Sequence, residues 1–334
     1  MRLLVLGGTA WLGRALVDTA LELGHAVTCL ARGAAGSPPG GAHFVLADRD
    51  EPGAYDAVSA ERWDVVLDVS RQPGHVRRAV AALEPSSGTF VLISSGNVYA
   101  DHRTVGGDES TPLLQALESD VMADMSTYGE AKVACEQAVM AGFGPGRSLI
   151  ARAGLIGGPG DPFDRGGYWP LRFARPATSD GRVLVPDAPH QPTQLIDVRD
   201  VARWIVEAGT GEVRGAFNAT GPTVPLREHL EAARAVADHT GRLVAAPEDW
   251  LAAQGVEPWM GPRSLPLWLP DPDYGGFSAR DSGRARAAGL RTRPLEQTLA
   301  DTLAWELTRD LAAPRRAGLS DDEELDLLAL LERG

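Results

Sequence analysis

The amino-terminal half of the chain alternates short apolar runs with stretches that have helical periodicity. Strands joined by crossover helices run parallel, because each helix returns the chain to the same end of the sheet. The alternation therefore predicts an α/β protein built on a doubly wound parallel sheet. The apolar runs are residues 2–6, 26–31, 43–47, 65–69, 89–94 and 149–156, and the main helical patterns are 10–23, 76–83 and 128–139.

A glycine-rich turn joins the first apolar run to the first helical pattern. Glycine lets the backbone turn tightly and approach a pyrophosphate, while the free N–H groups of the helix N-terminus attract the anion. The small methyl group of Ala10, where the middle glycine of the pattern is usual, predicts a slightly wider turn. We therefore predict a dinucleotide-binding turn, with the cofactor held by Gly7, Thr9, Ala10, Trp11, Leu12 and Gly13.

The end of the second run indicates which dinucleotide is bound. An acid at this place would bind the ribose 2′-hydroxyl and repel a 2′-phosphate, whereas this chain has Arg32, which can form a fork of hydrogen bonds to phosphate. The sequence thus favours NADP, with NAD as second choice. Asp48 is expected near the adenine, and Val69 and Ser70, after the fourth run, are expected to contact the cofactor.

Tyr128 and Lys132, the only lysine among 32 basic residues, are spaced to share one face of a helix. A tyrosine hydroxyl keeps its proton at neutral pH, and a nearby ammonium favours the phenolate that acid–base catalysis needs. Lysine suits this place better than arginine, because its compact ammonium can also reach the nicotinamide ribose. Tyr128 and Lys132 are therefore predicted to be catalytic and to contact the cofactor.

The fifth apolar run ends in two serines, Ser94 and Ser95, followed by Asn97. The carboxyl end of a parallel strand faces the crevice where such folds bind ligands. A hydroxyl there can donate a hydrogen bond to a substrate oxygen and orient it toward the tyrosine. We predict Ser95 as a catalytic residue and Asn97 as a substrate contact.

These motifs together resemble the extended, or atypical, short-chain dehydrogenase/reductase superfamily, often described as NAD-dependent epimerase/dehydratase. The resemblance implies a Rossmann-type domain with a smaller C-terminal lobe that contacts the substrate. It also implies that Ser95 supplies the catalytic hydroxyl, Tyr128 the acid–base group and Lys132 its support. The motifs that carry it are residues 7–13, 94–99, 128–132 and 157–161.

The chain departs from the family pattern in two places that bear on function. Gly96 and Asn97 stand where sugar-nucleotide 4,6-dehydratases have an acidic pair, so dehydration is not expected. Ser95 and Tyr128 lie far apart in sequence, which indicates an inserted acidic loop at residues 101–125.

A change of composition marks the boundary between the two lobes. Glycine and proline are dense in residues 157–162, residues 166–195 look irregular, and residues 250–274 are rich in tryptophan and proline. We expect residues 1–165, with 194–222 returning to them, to form the dinucleotide-binding domain. Residues 166–193 and 223–316 would form the substrate lobe, and residues 317–334 an acidic tail. Tyr168, Trp169 and Gln194 are expected in the wall of a substrate pocket, which aromatic groups would suit for a ring.

Composition excludes several classes of protein. Forty-five acids against 32 bases give a net charge of −13, which repels nucleic acid. Two isolated cysteines, Cys29 and Cys135, have no metal-ligand spacing, and no apolar run is long enough to span a membrane. We expect a cytoplasmic monomer or homodimer that binds a small molecule and no metal.

Three functions remain open. The leading hypothesis is an NADP-dependent carbonyl reductase or secondary alcohol dehydrogenase that acts on a ring-containing molecule through Ser95, Tyr128 and Lys132. The second is a sugar-nucleotide epimerase that keeps NAD bound. The third is a dinucleotide-sensing or RNA-associated protein that has the fold without the chemistry.

Overall fold

The computed structural model describes residues 1–333 as an α/β protein with a hydrophobic cluster on each face of its central sheet and another in a second lobe. Its strands are β1 (Arg2–Leu6), β2 (Ala26–Ala31), β3 (His43–Leu46), β4 (Trp63–Asp68), β5 (Ser87–Ser95), β6 (Ser148–Ala153), β7 (Leu155–Gly157), β8 (Val183–Pro186), β9 (Pro192–Thr193), β10 (Leu195–Asp197), β11 (Gly215–Ala219), β12 (Val224–Pro225), β13 (Leu243–Ala246), β14 (Glu257–Pro258) and β15 (Ser264–Leu265). Its helices are α1 (Trp11–Glu22), α2 (Asp56–Ser59), α3 (Pro73–Leu83), α4 (Tyr128–Phe143), α5 (Tyr168–Ala174), α6 (Val198–Thr210), α7 (Leu226–Val236), α8 (Glu248–Ala253), α9 (Gly283–Ala287), α10 (Leu295–Glu306) and α11 (Asp321–Leu331).

Seven parallel strands form the central sheet, in the order β11-β6-β5-β4-β1-β2-β3. The chain starts in the middle, at β1, and winds outward in both directions, as the alternation of apolar runs and helices predicts. All seven carboxyl ends therefore lie along one edge of the sheet. The predicted Rossmann-type doubly wound sheet is confirmed.

Helices cover both faces of this sheet. Successive residues of a strand point to opposite faces, so Leu3 and Val5 pack against α1 and α6 while Leu4 and Leu6 pack against α3 and α4. Burial on both faces explains why the strands read as continuous apolar runs instead of alternating patterns. The two cysteines are unpaired and buried, one in each of these layers.

The sixth apolar run is not one strand, contrary to the sequence prediction. It divides at Gly154 into β6, which stays in the central sheet, and β7, which leaves it to pair with β10. A side chain at residue 154 would come within 2.9 Å of the Thr220 methyl group, so glycine allows the chain to bend here. The bend carries the chain out of the sheet and into the second lobe.

The second lobe has a hydrophobic core of its own, built from α5, α7, α10, α11 and the small sheets around them. The prediction that residues 166–195 are irregular is wrong in part, because this stretch contains α5 and β8. Residues 250–274 are mostly irregular and pack on this core through Leu265, Leu267 and Trp268.

The acidic C-terminal segment is a docked helix and not a free tail. Ser320 caps α11 through a reciprocal pair of hydrogen bonds with Glu323. Leu327 and Leu328 are buried in the lobe, and Glu324 pairs with the buried Arg172 at 3.0 Å. The first turn of α11 contains four acidic residues, which interact favourably with the positive end of the helix dipole. The acidity of this segment therefore stabilises the start of a helix.

Two further expectations concern absences. Within residues 1–333, none of the helices combines the length and apolarity that a bilayer crossing requires. Over the same residues, no cluster of histidine, cysteine and acidic side chains has a geometry that would hold a metal ion.

Docking of α11 makes a prediction about stability. Leu327→Ala removes a fully buried side chain and is expected to lower the free energy of unfolding by about 2 to 5 kcal/mol. Leu325→Ala, on the exposed side of the same helix, should change it by less than about 0.5 kcal/mol. Chemical denaturation of the two variants and the wild type measures both, and equal effects would contradict the docking.

Candidate active site

The turn between β1 and α1 has the shape that a pyrophosphate requires. Gly7 has a φ of 98°, and a Cβ at Gly13 would lie 2.1 Å from the Gly7 carbonyl oxygen, so the helix meets the strand more closely than any side chain permits. Ala10 precedes α1 and offers no side-chain cap, which leaves the first N–H groups of the helix free for an anion. The turn fits the predicted dinucleotide.

A cavity of about 450 Å³ opens above this turn. Six residues predicted to bind the cofactor line it, namely Gly7, Thr9, Ala10, Arg32, Val69 and Ser70. The other predicted cofactor contacts, Trp11, Leu12, Gly13, Asp48, Tyr128 and Lys132, are outside the lining.

The side chains of Trp11 and Leu12 make structural contacts, while their backbone N–H groups belong to the uncapped first turn of α1. The Trp11 indole donates a hydrogen bond to the Pro159 carbonyl at 2.8 Å and packs against Gly160. Leu12 packs against the apolar layer beneath the sheet. Trp11 thus connects the phosphate turn to the loop that leads into the second lobe.

Arg32 has the freedom that the NADP prediction requires. Its side chain is 59% exposed, and among the residues that the structure describes it forms a salt bridge only with Asp48, at 3.9 Å. Such a wide, exposed pair contributes little, so the guanidinium remains available to a phosphate at the cavity mouth.

Several residues of the cavity were missed by sequence reasoning. Arg49 is buried and forms a two-pronged pair with Asp68, with N–O distances of 2.8 and 2.6 Å. His75 bridges Asp50 and Ser70 at the same rim. The only signal in the sequence was the run of charges Asp48-Arg49-Asp50 after the third strand, and a run of charges more often marks exposed surface.

Lys132 connects the predicted catalytic helix to the sheet. Its ammonium is almost fully buried and donates to the carbonyl oxygens of Ser70 at 2.7 Å and Ile93 at 2.6 Å. These oxygens lie at the carboxyl ends of β4 and β5, and Ser70 also lines the cofactor cavity. An ammonium has three N–H donors, so one remains for a ligand.

Tyr128 begins α4 beside the end of β5. It is half-buried, and the residue after it, Gly129, packs so closely that a Cβ there would lie 2.3 Å from the Asn97 carbonyl oxygen. Glycine at 129 therefore lets the first turn of α4 approach the segment that carries Ser95 and Asn97.

The two serines at the end of β5 have different partners. Ser94 donates to the buried Glu136 at 2.5 Å, whereas the Ser95 side chain, among residues 1–333, is bonded only within its own turn, to the Asn97 side chain at 2.9 Å. This local bond is easily exchanged for one to a ligand. The Ser95 hydroxyl is thus available to a ligand, whereas the Ser94 hydroxyl already has a buried partner.

Glu136 belongs to a buried polar network below the site that sequence reasoning missed. It pairs with Arg152 at 2.7 Å, and Arg152 donates in turn to the Tyr99 hydroxyl at 3.1 Å. Burial disfavours the charge on Arg152, but its hydrogen bonds to Glu136 outweigh this effect and raise its pKa. The network holds the ends of β5 and β6 together.

Two predicted substrate residues lie elsewhere. Tyr168 and Trp169 are buried in the core of the second lobe, where the Trp169 indole bonds to the Pro266 carbonyl at 2.8 Å. Their places on α5 turn them inward, so the expectation that they form a pocket wall is wrong. Gln194 does line a cavity, of about 380 Å³, beside Thr223 and Arg280, although it is also bonded to both.

Comparison with known proteins gives one family match and many similar structures. The model of the NAD dependent epimerase/dehydratase family matches residues 3–219. The 3-diazoavenalumate denitrifying reductase of a Streptomyces species is 26% identical over 86% of this chain and 92% of its own length.

Two solved structures illustrate the similarity of fold. A putative epimerase from Burkholderia cenocepacia has a TM-score of 0.67 and 20% identity, over 92% of this chain and 98% of that one. UDP-glucuronic acid 4-epimerase from Bacillus cereus, solved with NAD, has a TM-score of 0.65 and 14% identity, over 92% and 100%.

The close contact at Gly13 leads to a prediction about dinucleotide binding. Gly13→Ala forces the helix away from the strand, so we expect dinucleotide affinity to fall by about tenfold or more, because anion contacts to the turn are lost. Gly146→Ala, in open space with ordinary backbone angles, is the matched control and should bind like the wild type. Isothermal titration with NADPH measures both, and undiminished binding by a folded Gly13→Ala variant would contradict the proposed turn.

Proposed function

The chain belongs to the NAD-dependent epimerase/dehydratase family, and we propose that it is an NADP-dependent oxidoreductase that acts on a ring-containing small molecule. In this proposal it interconverts a carbonyl and a secondary alcohol, with Ser95, Tyr128 and Lys132 as catalytic residues.

The hydrogen bond from Lys132 to the Ser70 carbonyl carries the proposal. Because Ser70 lines the cofactor cavity, this bond brings the catalytic helix to the rim where a dinucleotide would lie. Tyr128 lies on α4, one turn before Lys132, and Ser95 is the last residue of β5. A fold kept without chemistry would not need a buried ammonium at this rim.

The residues of the site have separable roles. Gly7, Thr9 and Ala10 would hold the pyrophosphate, and Val69 and Ser70 the adjoining part of the cofactor. When bound, the nicotinamide supplies or accepts a hydride. Ser95 donates a hydrogen bond to the substrate oxygen and orients it, and in the reducing direction Tyr128 gives its hydroxyl proton to that oxygen. The positive charge of Lys132 stabilises the tyrosinate that remains.

Arg32 supports NADP over NAD. No acid stands at the end of β2 to bind a 2′-hydroxyl, and the Arg32 guanidinium is exposed at the cavity mouth, where its salt bridge to Asp48 is 3.9 Å long. The reductase from Streptomyces, which matches most of the chain, supports reduction as the direction.

The cofactor assignment is tested by titration with four dinucleotides. We expect NADPH and NADP to raise the thermal midpoint more than NADH and NAD do. Arg32→Ala should weaken NADPH binding by about tenfold, as loss of a charged hydrogen bond predicts, and leave NADH binding nearly unchanged. Arg62→Ala, an exposed arginine that is not part of the cavity lining, is the control. NAD(H) that copurifies and does not exchange would favour an epimerase instead.

The catalytic assignment is tested with Tyr128→Phe. The phenyl ring keeps the packing but has no proton to give, so NADPH affinity should stay within about twofold while turnover falls by about a hundredfold or more. Turnover is followed by NADPH oxidation across a panel of cyclic and aromatic aldehydes and ketones, with the wild type as reference. A Tyr128→Phe variant that retains full activity would refute the mechanism.

A further inference from the structure

Arg165 is a largely buried cation that forms no hydrogen bond or salt bridge within residues 1–333. It lies in the loop between β7 and α5, and its Nε is closed off from solvent without a hydrogen bond. Its other nitrogens make no hydrogen bond or ion pair with any group of residues 1–333, yet they are not closed off. A buried charge without a partner is costly, so this arrangement needs an explanation.

Two aromatic rings from different parts of the chain hold the guanidinium. Its central carbon lies 5.2 Å from the Phe163 ring centre and 5.4 Å from that of Trp259. Cation–π contacts of this kind stabilise a guanidinium without neutralising its charge. Trp259 comes from the tryptophan- and proline-rich stretch of the second lobe, so the Arg165 loop packs against that stretch.

The loop that carries Arg165 lies against the proposed cofactor turn. The Trp11 indole, at the start of α1, donates a hydrogen bond to the Pro159 carbonyl at 2.8 Å and packs against Gly160. Burial lowers the pKa of Arg165, and the charge of Asp161 acts in the opposite direction. Arg165 therefore belongs to a loop that reaches the proposed cofactor site.

The backbone around Arg165 is held in unusual conformations. Asp164 and Trp259 have φ values of 62° and 67°, two of only four positive values outside glycine in residues 1–333. Asp164 is kept in place by Arg309 at 2.5 Å, and Asp161 accepts hydrogen bonds from two N–H groups of the loop. Strained residues persist only where their surroundings enforce them, and they cluster at functional sites.

We propose that Arg165 binds a carboxylate of the substrate, so that the molecule reduced by this enzyme is a ring-bearing carboxylate. This inference rests on the proposed function, because it names the substrate class of the same site. A guanidinium presents a fork of N–H donors that matches the two oxygens of a carboxylate. One such fork beside the buried acid Asp161 suits a single negative charge better than a diphosphate, and the rings of Phe163 and Trp259 suit an apolar, planar neighbour.

The proposal is tested by direct binding to the full-length protein, which does not depend on turnover. Benzoate, methyl benzoate and phenyl phosphate are titrated by ligand-observed NMR, with and without NADP. We expect benzoate to bind, and Arg165→Gln to weaken it by about tenfold or more. Arg165→Lys keeps the positive charge without the fork of N–H donors, so its affinity for benzoate should lie between those of the wild type and Arg165→Gln. Arg175→Gln, an exposed arginine of the same segment, is the matched control and should bind like the wild type.

Each other outcome overturns the proposal. Equal binding of benzoate by the wild type and Arg165→Gln, no binding by either, or equal affinity for the methyl ester would show that Arg165 is not a carboxylate site. Tighter, Arg165-dependent binding of phenyl phosphate would show that the ligand is a phosphate.

Failure of this inference is distinguishable from failure of the proposed function. Arg165-dependent binding of benzoate, with no NADPH oxidation on any carbonyl compound, would reject the oxidoreductase and leave the anion site. Oxidation that depends on Tyr128, but proceeds equally with 4-formylbenzoate and its methyl ester and is unaffected by Arg165→Gln, would reject only the anion site.

Discussion

The candidate site depends on one buried ammonium group. Lys132 is the only lysine of the chain, and in the interior it must satisfy its donors or lose its charge. It does so on the carbonyl oxygens of Ser70, two residues after β4, and of Ile93, near the end of β5. One side chain thereby sets the position of α4, and with it Tyr128, relative to the cofactor cavity. An arginine could not replace it easily, because a planar guanidinium does not converge on two carbonyl groups as a compact ammonium does.

Buried pairs of an arginine and an acid fix the packing around the site and in the second lobe. Arg49 with Asp68 lies under the cofactor cavity, Arg152 with Glu136 lies below the ends of β5 and β6, and Arg172 with Glu324 fastens the last helix to the second lobe. Such pairs add little net stability, since desolvation offsets their attraction, but removal of one partner is strongly unfavourable. Their effect is to favour one arrangement of strand ends and helices over others. Arg165 contrasts with all three because, within residues 1–333, it contacts aromatic rings and forms no salt bridge with an acid.

Much of the fold could be predicted from the sequence. The alternation of apolar runs and helices in residues 1–156 predicted the doubly wound sheet, because a parallel sheet buried on both faces leaves an unbroken apolar signal. The bend at Gly154 was missed, since a single glycine in an apolar run does not show that the residues after it leave the sheet and pair with a different strand. The second lobe was described poorly because its strands are two to four residues long, too short for a periodicity to appear. Its last helix was mistaken for a tail because an acidic helix start and a solvated acidic end have the same composition.

The sequence by itself determined the phosphate turn, the lone lysine four residues after a tyrosine, and the serines at a strand end, because each of these depends on residues close together in the chain. Only the tertiary structure decided which of them point into open space. It shows that Ser94 is bonded to the buried Glu136 whereas Ser95 is not. It also shows that Tyr168 and Trp169, which were expected in a pocket wall, lie in the core of the second lobe. It also brought Phe163, Arg165 and Trp259 together. The physical reason is that burial and pairing depend on residues far apart in sequence, which no local pattern records.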